Sequence, residues 1–374
     1  MNHESYLELG SPLSQALRNP INWLLIFLPV TIGLEAVHSS PALRFFSAAL
    51  AIVPVAALIA RATEHLATHT GDAVGSLLNA TFGNAPELII CLVALRAGYV
   101  DMVRATLVGA ILANLLLALG VAFFLGGLRY HEQRFNPSAT RAYSTMMFLA
   151  AVSMTVPSSY SRYFAPGADI PHQRVLNLAI AILLLIAYGF YLLFSLKTHP
   201  GAFASIDLEH TESHEGESWS IPRAVGSLIA ASLLAAWMSE YLVGAAEQTG
   251  KSLGMSQVFI GIVFLSVVGG AAESGSAIAV ARKNKMDLSV GIALGSCIQI
   301  ALLVAPLLVF FSYVISPEPL SLTFGRAEIG SLFIAVLIGA MVAGDGQSNW
   351  YKGVQLIIVY AMIALMFYFI PDLH

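Results

Sequence analysis

Charge and cysteine are both scarce in this chain. Only 11% of its 374 residues are Asp, Glu, Lys or Arg and 57% are hydrophobic, whereas an ordinary soluble protein carries about 25% charged residues. That shortage argues against a water-soluble fold and for an integral membrane protein. The only two cysteines, Cys91 and Cys297, sit far apart inside apolar runs, which leaves no disulfide framework and no Cys-x-x-Cys metal site. A net charge of −4 with scattered basic residues offers no surface for nucleic acid. No His-Glu-x-x-His zinc motif occurs. The nearest approach to a phosphate-binding loop, Gly244 to Gly250-Lys251-Ser252, has one residue too many and follows an apolar run. Neither an enzyme nor a resident cofactor is expected. The first twenty residues lack a basic start leading into an apolar stretch, so residues 1–20 read as a short cytoplasmic tail rather than a cleaved signal.

What the chain has instead is apolar runs. They fall at 21–38, 42–62, 73–97, 101–127, 140–157, 174–196, 222–246, 255–281, 288–315, 327–344 and 351–370. The expected fold is therefore all-α and embedded in the lipid bilayer, with eleven transmembrane helices. The first run is short and holds Pro29 and Glu35, so a half-buried helix competes there. Of the eighteen Lys and Arg, eleven fall on the side of the N-terminus. The positive-inside rule then puts the N-terminus in the cytoplasm and the C-terminus outside. A bacterial cell membrane is the preferred location, and nothing in the sequence speaks to an oligomeric state. One strongly polar stretch, Asp207-Leu-Glu-His-Thr-Glu-Ser-His-Glu-Gly-Glu217, divides the runs. His210 and His214, with Glu212 and Glu215, have the spacing of a regulatory metal site on one helical face, and a solvated linker explains them as well.

The halves on either side of that stretch repeat. Gly83, Ala85, Glu87, Arg96, Asp101 and Gly109 recur as Gly269, Ala271, Glu273, Arg282, Asp287 and Gly295, each displaced by 186 positions. One residue is then lost, so Asn114 falls on Gln299 at 185. Upstream, Glu64 matches Glu240 at 176, which gives the second half ten extra residues in the next connection. The layout expected is a leading helix at 21–39, a first five-helix repeat at 40–198, an acidic cytoplasmic linker at 199–219 and a second five-helix repeat at 220–374. Five spans is an odd number, so the second repeat enters the membrane from the opposite side. Inverted pairs of this kind mark secondary transporters, whose sites lie where the repeats meet on helices interrupted by Gly or Pro.

Both interruptions carry a glutamate. In Gly83-Asn84-Ala85-Pro86-Glu87, Pro86 has no amide hydrogen, which frees the carbonyl of Phe82, while Gly83 lets the backbone bend. In Gly269-Gly270-Ala271-Ala272-Glu273 the paired glycines weaken the helix. A charge at mid-span costs about 2.5–3.5 kcal/mol on insertion scales, so two glutamates at equivalent depths imply a function. Carboxylates, the Asn84 amide and freed carbonyls match the six to eight oxygens that calcium takes. The candidate ligand set is Glu87, Glu273, Asn84, Phe82, Gly83, Gly269, Asn114 and Gln299, with Glu87 and Glu273 also carrying protons. For Asn114 and Gln299 an interhelical hydrogen bond is the alternative. Glu64 and Glu240 read as closing the helix that opens each repeat, where they could gate the two mouths or simply face water. His65 and His69 are four apart at a span end and read as solvated. Asp345-Gly346-Gln347-Ser348-Asn349-Trp350 reads as a turn with an interfacial Trp.

These residues resemble the calcium/proton exchangers of the cation-exchanger family, within the calcium/cation antiporter superfamily. The resemblance runs from about residue 21 onward. It rests on Gly-Asn-Ala-Pro-Glu-Leu at 83–88, Lys-Asn-Lys-Met-Asp-Leu at 283–288, Gln-Ile-Ala-Leu at 299–302 and the Asp-Gly-Gln-Ser-Asn-Trp run. It implies a leading helix, two inverted five-helix repeats and exchange of cytoplasmic calcium for external or lumenal protons. The family's second motif usually reads Gly-Asn-Ala-Ala-Glu-His. Here Gly270 replaces the Asn and Ser274 the His, which keeps sodium-coupled exchange open as an alternative, with a gated channel behind it. The expected mechanism is competition, because protonation and calcium binding at one carboxylate exclude each other.

Overall fold

The structure is a computed structural model, and it describes residues 20–70, 72–165, 170–203 and 219–370. Among these residues it is helical almost throughout. A 3-10 segment, Pro20–Ile26, leads into α1 (Phe27–Ala36), followed by α2 (Pro41–Ala67), α3 (Asp72–Phe82), α4 (Ala85–Arg96) and α5 (Val100–Tyr130). Next come β1 (Glu132–Arg134), α6 (Pro137–Ser159) and α7 (Ile170–Leu193). The second half holds α8 (Ile221–Leu253), α9 (Gln257–Gly269), α10 (Ala271–Ala281), α11 (Met286–Ile315), α12 (Arg326–Ala343), β2 (Gln347–Asn349) and α13 (Trp350–Phe369).

Every apolar run bracketed in the sequence holds helix, but length and apolarity alone mark fewer than eleven spans. Seven described helices qualify, or eight if α9 and α10, bent by 59° at their junction, count as one. The shortfall has physical causes. The leading helix, Ile21–Ala36, is short. The run at 73–97 is cut at Gly83–Asn84 into pieces of 11 and 12 residues, each under the ~20 needed to cross ~30 Å of hydrocarbon. Serine and threonine dilute the hydropathy of α6. On α7, Ile182, Leu183, Ile186 and Phe190 are exposed apolar residues on a helix that would be insoluble in water and suits a lipid face.

Both slips in the repeat have a structural answer. At the 176-residue offset the end of α2 corresponds to Val243, yet α8 runs on to Leu253. The ten extra residues are therefore one helical extension, held by a Glu247–Lys251 ion pair at 2.6 Å and capped by Gly254 with φ +66°, whose neighbour Met255 donates to the Gly250 carbonyl. This corrects the sequence reading of Glu240, which lies well inside α8 rather than closing it. The one-residue slip near Asn114 and Gln299 coincides with π-helical turns at Ala113–Ala118 in α5 and Ile300–Val304 in α11. A widened turn absorbs an inserted residue without ending the helix.

The packing knits the repeats together. α2 lies along α8, α4 also packs on α8, and α10 packs on α2 and α5. Strands β1 and β2 pair antiparallel, Gln133 opposite Ser348, and tie the connection after α5 to the one before α13. The Asp-Gly-Gln-Ser-Asn-Trp run thus has a structural role beyond a turn. Asp345 holds Lys352 at 2.6 Å, Gly346 takes φ +74°, and Asn349 caps α13 by accepting from the Lys352 amide at 3.0 Å. Asn349→Ala should cost about 1 kcal/mol of stability, seen as a lower thermal midpoint of the purified protein.

Candidate functional site

The two helix breaks are alike in backbone though unlike in sequence. Asn84 (φ −95°, ψ 20°) separates α3 from α4 and Gly270 (φ −77°, ψ 4°) separates α9 from α10. Gly83 N still bonds the Asn79 carbonyl at 2.7 Å and Gly270 N the Ser266 carbonyl at 3.0 Å, so each first half ends as an intact turn. Pro86 sits in the first turn of α4, where its missing amide hydrogen costs nothing. Phe82 is the last residue of α3. Glu87 and Glu273 occupy the first turns of α4 and α10, where the helix dipole favours a carboxylate.

Each glutamate is seated on the opposite repeat's break. A β-carbon at Gly269 would lie 2.8 Å from Glu87 Cγ, and one at Gly83 would lie 2.9 Å from Glu273 Oε1. At Gly269 glycine is needed for this approach, and at Gly83 the carbonyl of Asn79 in the preceding turn, 2.5 Å from the β-carbon position, demands it as well. Around the carboxylates, Asn84 Nδ2 donates to Gln299 Oε1 at 2.5 Å and Ser274 Oγ to Asn114 Oδ1 at 3.3 Å. Ser296 Oγ donates to Glu273 Oε2. Asn84, Glu87 and Asn114 are buried, while Glu273 and Gln299 are half-exposed. Asn84 Oδ1 and both carboxylate oxygens of Glu87 are sealed and accept no hydrogen bond among the described residues. Such oxygens are costly unless something electropositive meets them. The sequence candidates Glu87, Glu273, Asn84, Asn114 and Gln299 therefore converge.

Ser274 and Ser296 were missed as site residues. Ser296 corresponds to Ala110 in the first repeat, so repeat matching passed over it. Its signal was its place one turn before Gln299 on the same helix.

The approaches to this cluster differ. From Ala105 to Leu112, α5 is buried on every face. Gly109 packs onto the backbone of Ile262 in α9, and a β-carbon at Gly261 would lie 2.6 Å from the Met102 carbonyl. Gly295, the repeat counterpart of Gly109, has nothing within 4 Å of its β-carbon position. Gly291, Ile292, Gly295 and Gln299 form a half-exposed stripe along one face of α11. One approach is closed and the other reaches Gln299 and Glu273. An ion pair follows the same division. Arg96 on α4 meets Glu240 on α8 at 3.4 Å, at the closed end, whereas their counterparts Arg282 and Glu64 form no ion pair among the described residues.

The remaining candidates lie elsewhere. His65 stacks on Trp219, ring centroids 4.6 Å apart, and His69 Nε2 lies 2.8 Å from the Trp219 carbonyl. The two histidines thus fasten the entry of α8 to the end of α2 rather than facing solvent unengaged. His210, Glu212, His214 and Glu215 lie outside the described residues. Among the described residues no group of three or more His, Cys, Asp or Glu could hold a metal, so the cluster is a mixed carboxylate and amide set. All its donors are oxygen, which suits a hard cation.

Known proteins resemble this chain in sequence and fold. The family model described as sodium/calcium exchanger protein matches residues 40–197 and 223–369. A Ca(2+)/H(+) antiporter of Aphanothece halophytica is 39% identical, covering 93% of this chain and 96% of its own length. The Ca(2+)/H(+) antiporter ChaA of Bacillus subtilis is 38% identical over 91% of this chain and 96% of its own. The solved structure of native YfkE superposes with a TM-score of 0.81 at 34% identity, covering 94% of this chain and all of that one. The H+/Ca2+ exchanger CAX shares the fold, with a TM-score of 0.69 at 18% identity over 95% of this chain and 91% of its own.

Proposed function

The chain belongs to the sodium/calcium exchanger protein family, an integral membrane family, and on that premise we propose that it is a secondary active antiporter exchanging cytoplasmic calcium for external protons. The observation that carries the reading is the crossed seating of Glu87 and Glu273 on each other's helix break, with both Glu87 carboxylate oxygens sealed and accepting no hydrogen bond among the described residues. Calcium and protons are the transported substrates. Glu87, Glu273 and Asn84 bind the ion, joined by Asn114, Gln299 and the backbone around Phe82, Gly83 and Gly269. A proton arriving at either carboxylate removes a charge that calcium needs, so the two substrates exclude each other and release is driven from the proton-rich side.

The layout proposed is a leading helix followed by two inverted five-helix repeats, eleven spans in all, with the broken pairs α3–α4 and α9–α10 as one span each. The two separate matches of the family model support that division. With the N-terminus cytoplasmic, α3 and the first half of α11 occupy the cytoplasmic half of the membrane, and α9 and the first half of α5 the outer half. The arrangement described above is then the state open to the cytoplasm and sealed outside by the packing at Gly109 and Gly261, with the exposed Arg96–Glu240 pair on the same side. Inversion would open that pair and bring Glu64 to Arg282, which gives both glutamates a gating role.

Purified protein in liposomes with an acidic interior should take up calcium against its gradient, and an outward sodium gradient alone should not support uptake. Uptake with sodium alone would move the chain to sodium-coupled exchange, the reading that Gly270 and Ser274 leave open. A downhill flux that never runs uphill would make it a channel.

A further inference from the structure

A cavity on the outer surface of the helix bundle lies apart from the ion site. It measures about 360 Å³ and is walled by Val152 and Val156 of α6, by Phe164 of the π-helical turn Tyr160–Phe164 that continues α6, by Leu176 of α7 and by Phe333 of α12. That volume falls within the ~300–1,000 Å³ of small-molecule sites. Val152, Thr155, Val156 and Ser159 are spaced to share one helical face. The Thr155 hydroxyl is turned onto its own helix, where it donates to the Ala151 carbonyl at 2.8 Å, so the wall it offers is its methyl. The cavity opens outward, because Val152, Val156 and Phe164 are exposed, Phe164 by 81%. Its flanking helices α7 and α12 are both long and apolar enough to cross a membrane. The open side therefore meets hydrocarbon rather than water.

One end of this cavity is basic. Arg162 lies between Tyr160 and Phe164, which both line it. Arg326 opens α12 seven residues before Phe333, on the same face, and its guanidinium stands 5.8 Å from the centre of the Tyr163 ring. Arg174 is two residues before Leu176 on α7. Among the described residues Arg162 and Arg174 form no ion pair or hydrogen bond, and Arg326 makes only the ring contact. The carboxylates at this end are engaged. Glu328 is buried, in the field of Arg104 and Arg162, and accepts from the Gly325 amide, while Asp101 pairs with Arg104. A hydrocarbon groove that ends in guanidinium groups matches an acyl chain continued by a phosphate. We propose that this cavity binds a phospholipid, with one acyl chain lying between α6, α7 and α12 and the headgroup phosphate meeting Arg162 and Arg326. The lipid then fills the seam where α6 packs on α12, one helix from each half of the chain. The inference rests on the membrane location alone and is independent of the calcium-site reading.

Thermal unfolding of the purified full-length protein in detergent tests it, with dioleoyl phosphatidylglycerol as the probe and glycerol phosphate, which has the phosphate without the chains, as its control. The lipid should raise the thermal midpoint of the parent, as any ligand that binds only the folded form does, and glycerol phosphate should not. Val156→Trp fills the cavity and should abolish the rise. The double variant Arg162→Gln, Arg326→Gln leaves the cavity open and should need at least about tenfold more lipid for the same rise, since hydrogen bonds to a charged group are lost. Native mass spectrometry of the same preparations reads the complex directly, and Phe333→Trp fills the cavity from the opposite wall if Val156→Trp fails to fold. The parent should retain a phospholipid mass that the cavity-filling variant loses. An equal rise with glycerol phosphate would overturn the proposal by showing that no chain is held, and an equal rise in the filled variant would place the lipid elsewhere. Loss of a second protein chain, rather than of a lipid, from the filled variant would make this face an interface between copies and overturn it too.

Discussion

Glu87→Gln is expected to abolish proton-driven calcium uptake while leaving a folded, monodisperse protein. The substitution keeps the shape of the side chain and removes one of the two charges that face each other across the repeats. At an effective dielectric of about 20, a pair of unit charges about 4 Å apart is worth about 4 kcal/mol, which corresponds to a loss of several hundredfold in affinity. The exchange step suffers further, because an amide takes up no proton in return for calcium. Folding should not suffer. Both carboxylate oxygens of Glu87 are buried without a hydrogen-bond partner among the described residues, so an amide of the same shape breaks no existing hydrogen bond, and the thermal midpoint without calcium should stay level. Glu273→Gln should lose transport in the same way, although its carboxyl is half-exposed and already accepts from Ser296. Uptake at the parent rate in either purified variant would sink the site assignment.

Much of this site was legible because it is written twice. An odd number of apolar runs per unit, a constant offset of 186 and a glutamate beside each interruption are enough to bring Glu87 and Glu273 together, since inverted repeats place their equivalent points on opposite sides of one axis. Residues without a counterpart stayed hidden. Ser296 aligns with Ala110, and Ser274 aligns with Leu88, so nothing in the periodicity singles them out as partners of Glu273 and Asn114. Helix ends were also blurred, because an apolar pattern has no feature that separates a span from its extension into water. The ten extra residues before Gly254 were read as connection, and only the Glu247–Lys251 spacing and the glycine cap hinted at helix. The breaks that bring the two glutamates together also split apolar runs that the sequence shows as single spans. A helix interrupted at Gly83–Asn84 yields two pieces, neither long enough to be recognised as crossing the membrane.

Gly109 and Gly295 are equivalent in sequence, and their substitution should have opposite consequences. In this structure a side chain at Gly109 would run into the backbone of Ile262, whereas one at Gly295 meets nothing within 4 Å. Gly109→Leu must separate α5 from α9 or fail to adopt this state, because backbone cannot yield as the end of a flexible side chain can, and overpacking of this kind costs about 1–3 kcal/mol or more. Gly295→Leu costs nothing here. If transport proceeds by inverting the two repeats, however, α11 must close onto α3 as α5 now closes onto α9, and the Gly295 position would then meet the backbone near Gly75 and Ser76, the counterparts of Gly261 and Ile262. A leucine blocks that closure. Gly295→Leu is therefore expected to fold with the parent's thermal midpoint and bind calcium with the parent's affinity, yet exchange at least about a hundredfold more slowly, since each 1.4 kcal/mol added to the closed state costs a factor of ten. Calcium binding by titration and flux in liposomes, measured on the same preparation, separate the two properties. Parent flux in Gly295→Leu would mean that α11 never approaches α3, and that access to the two sides is exchanged by some motion other than the inversion of this packing.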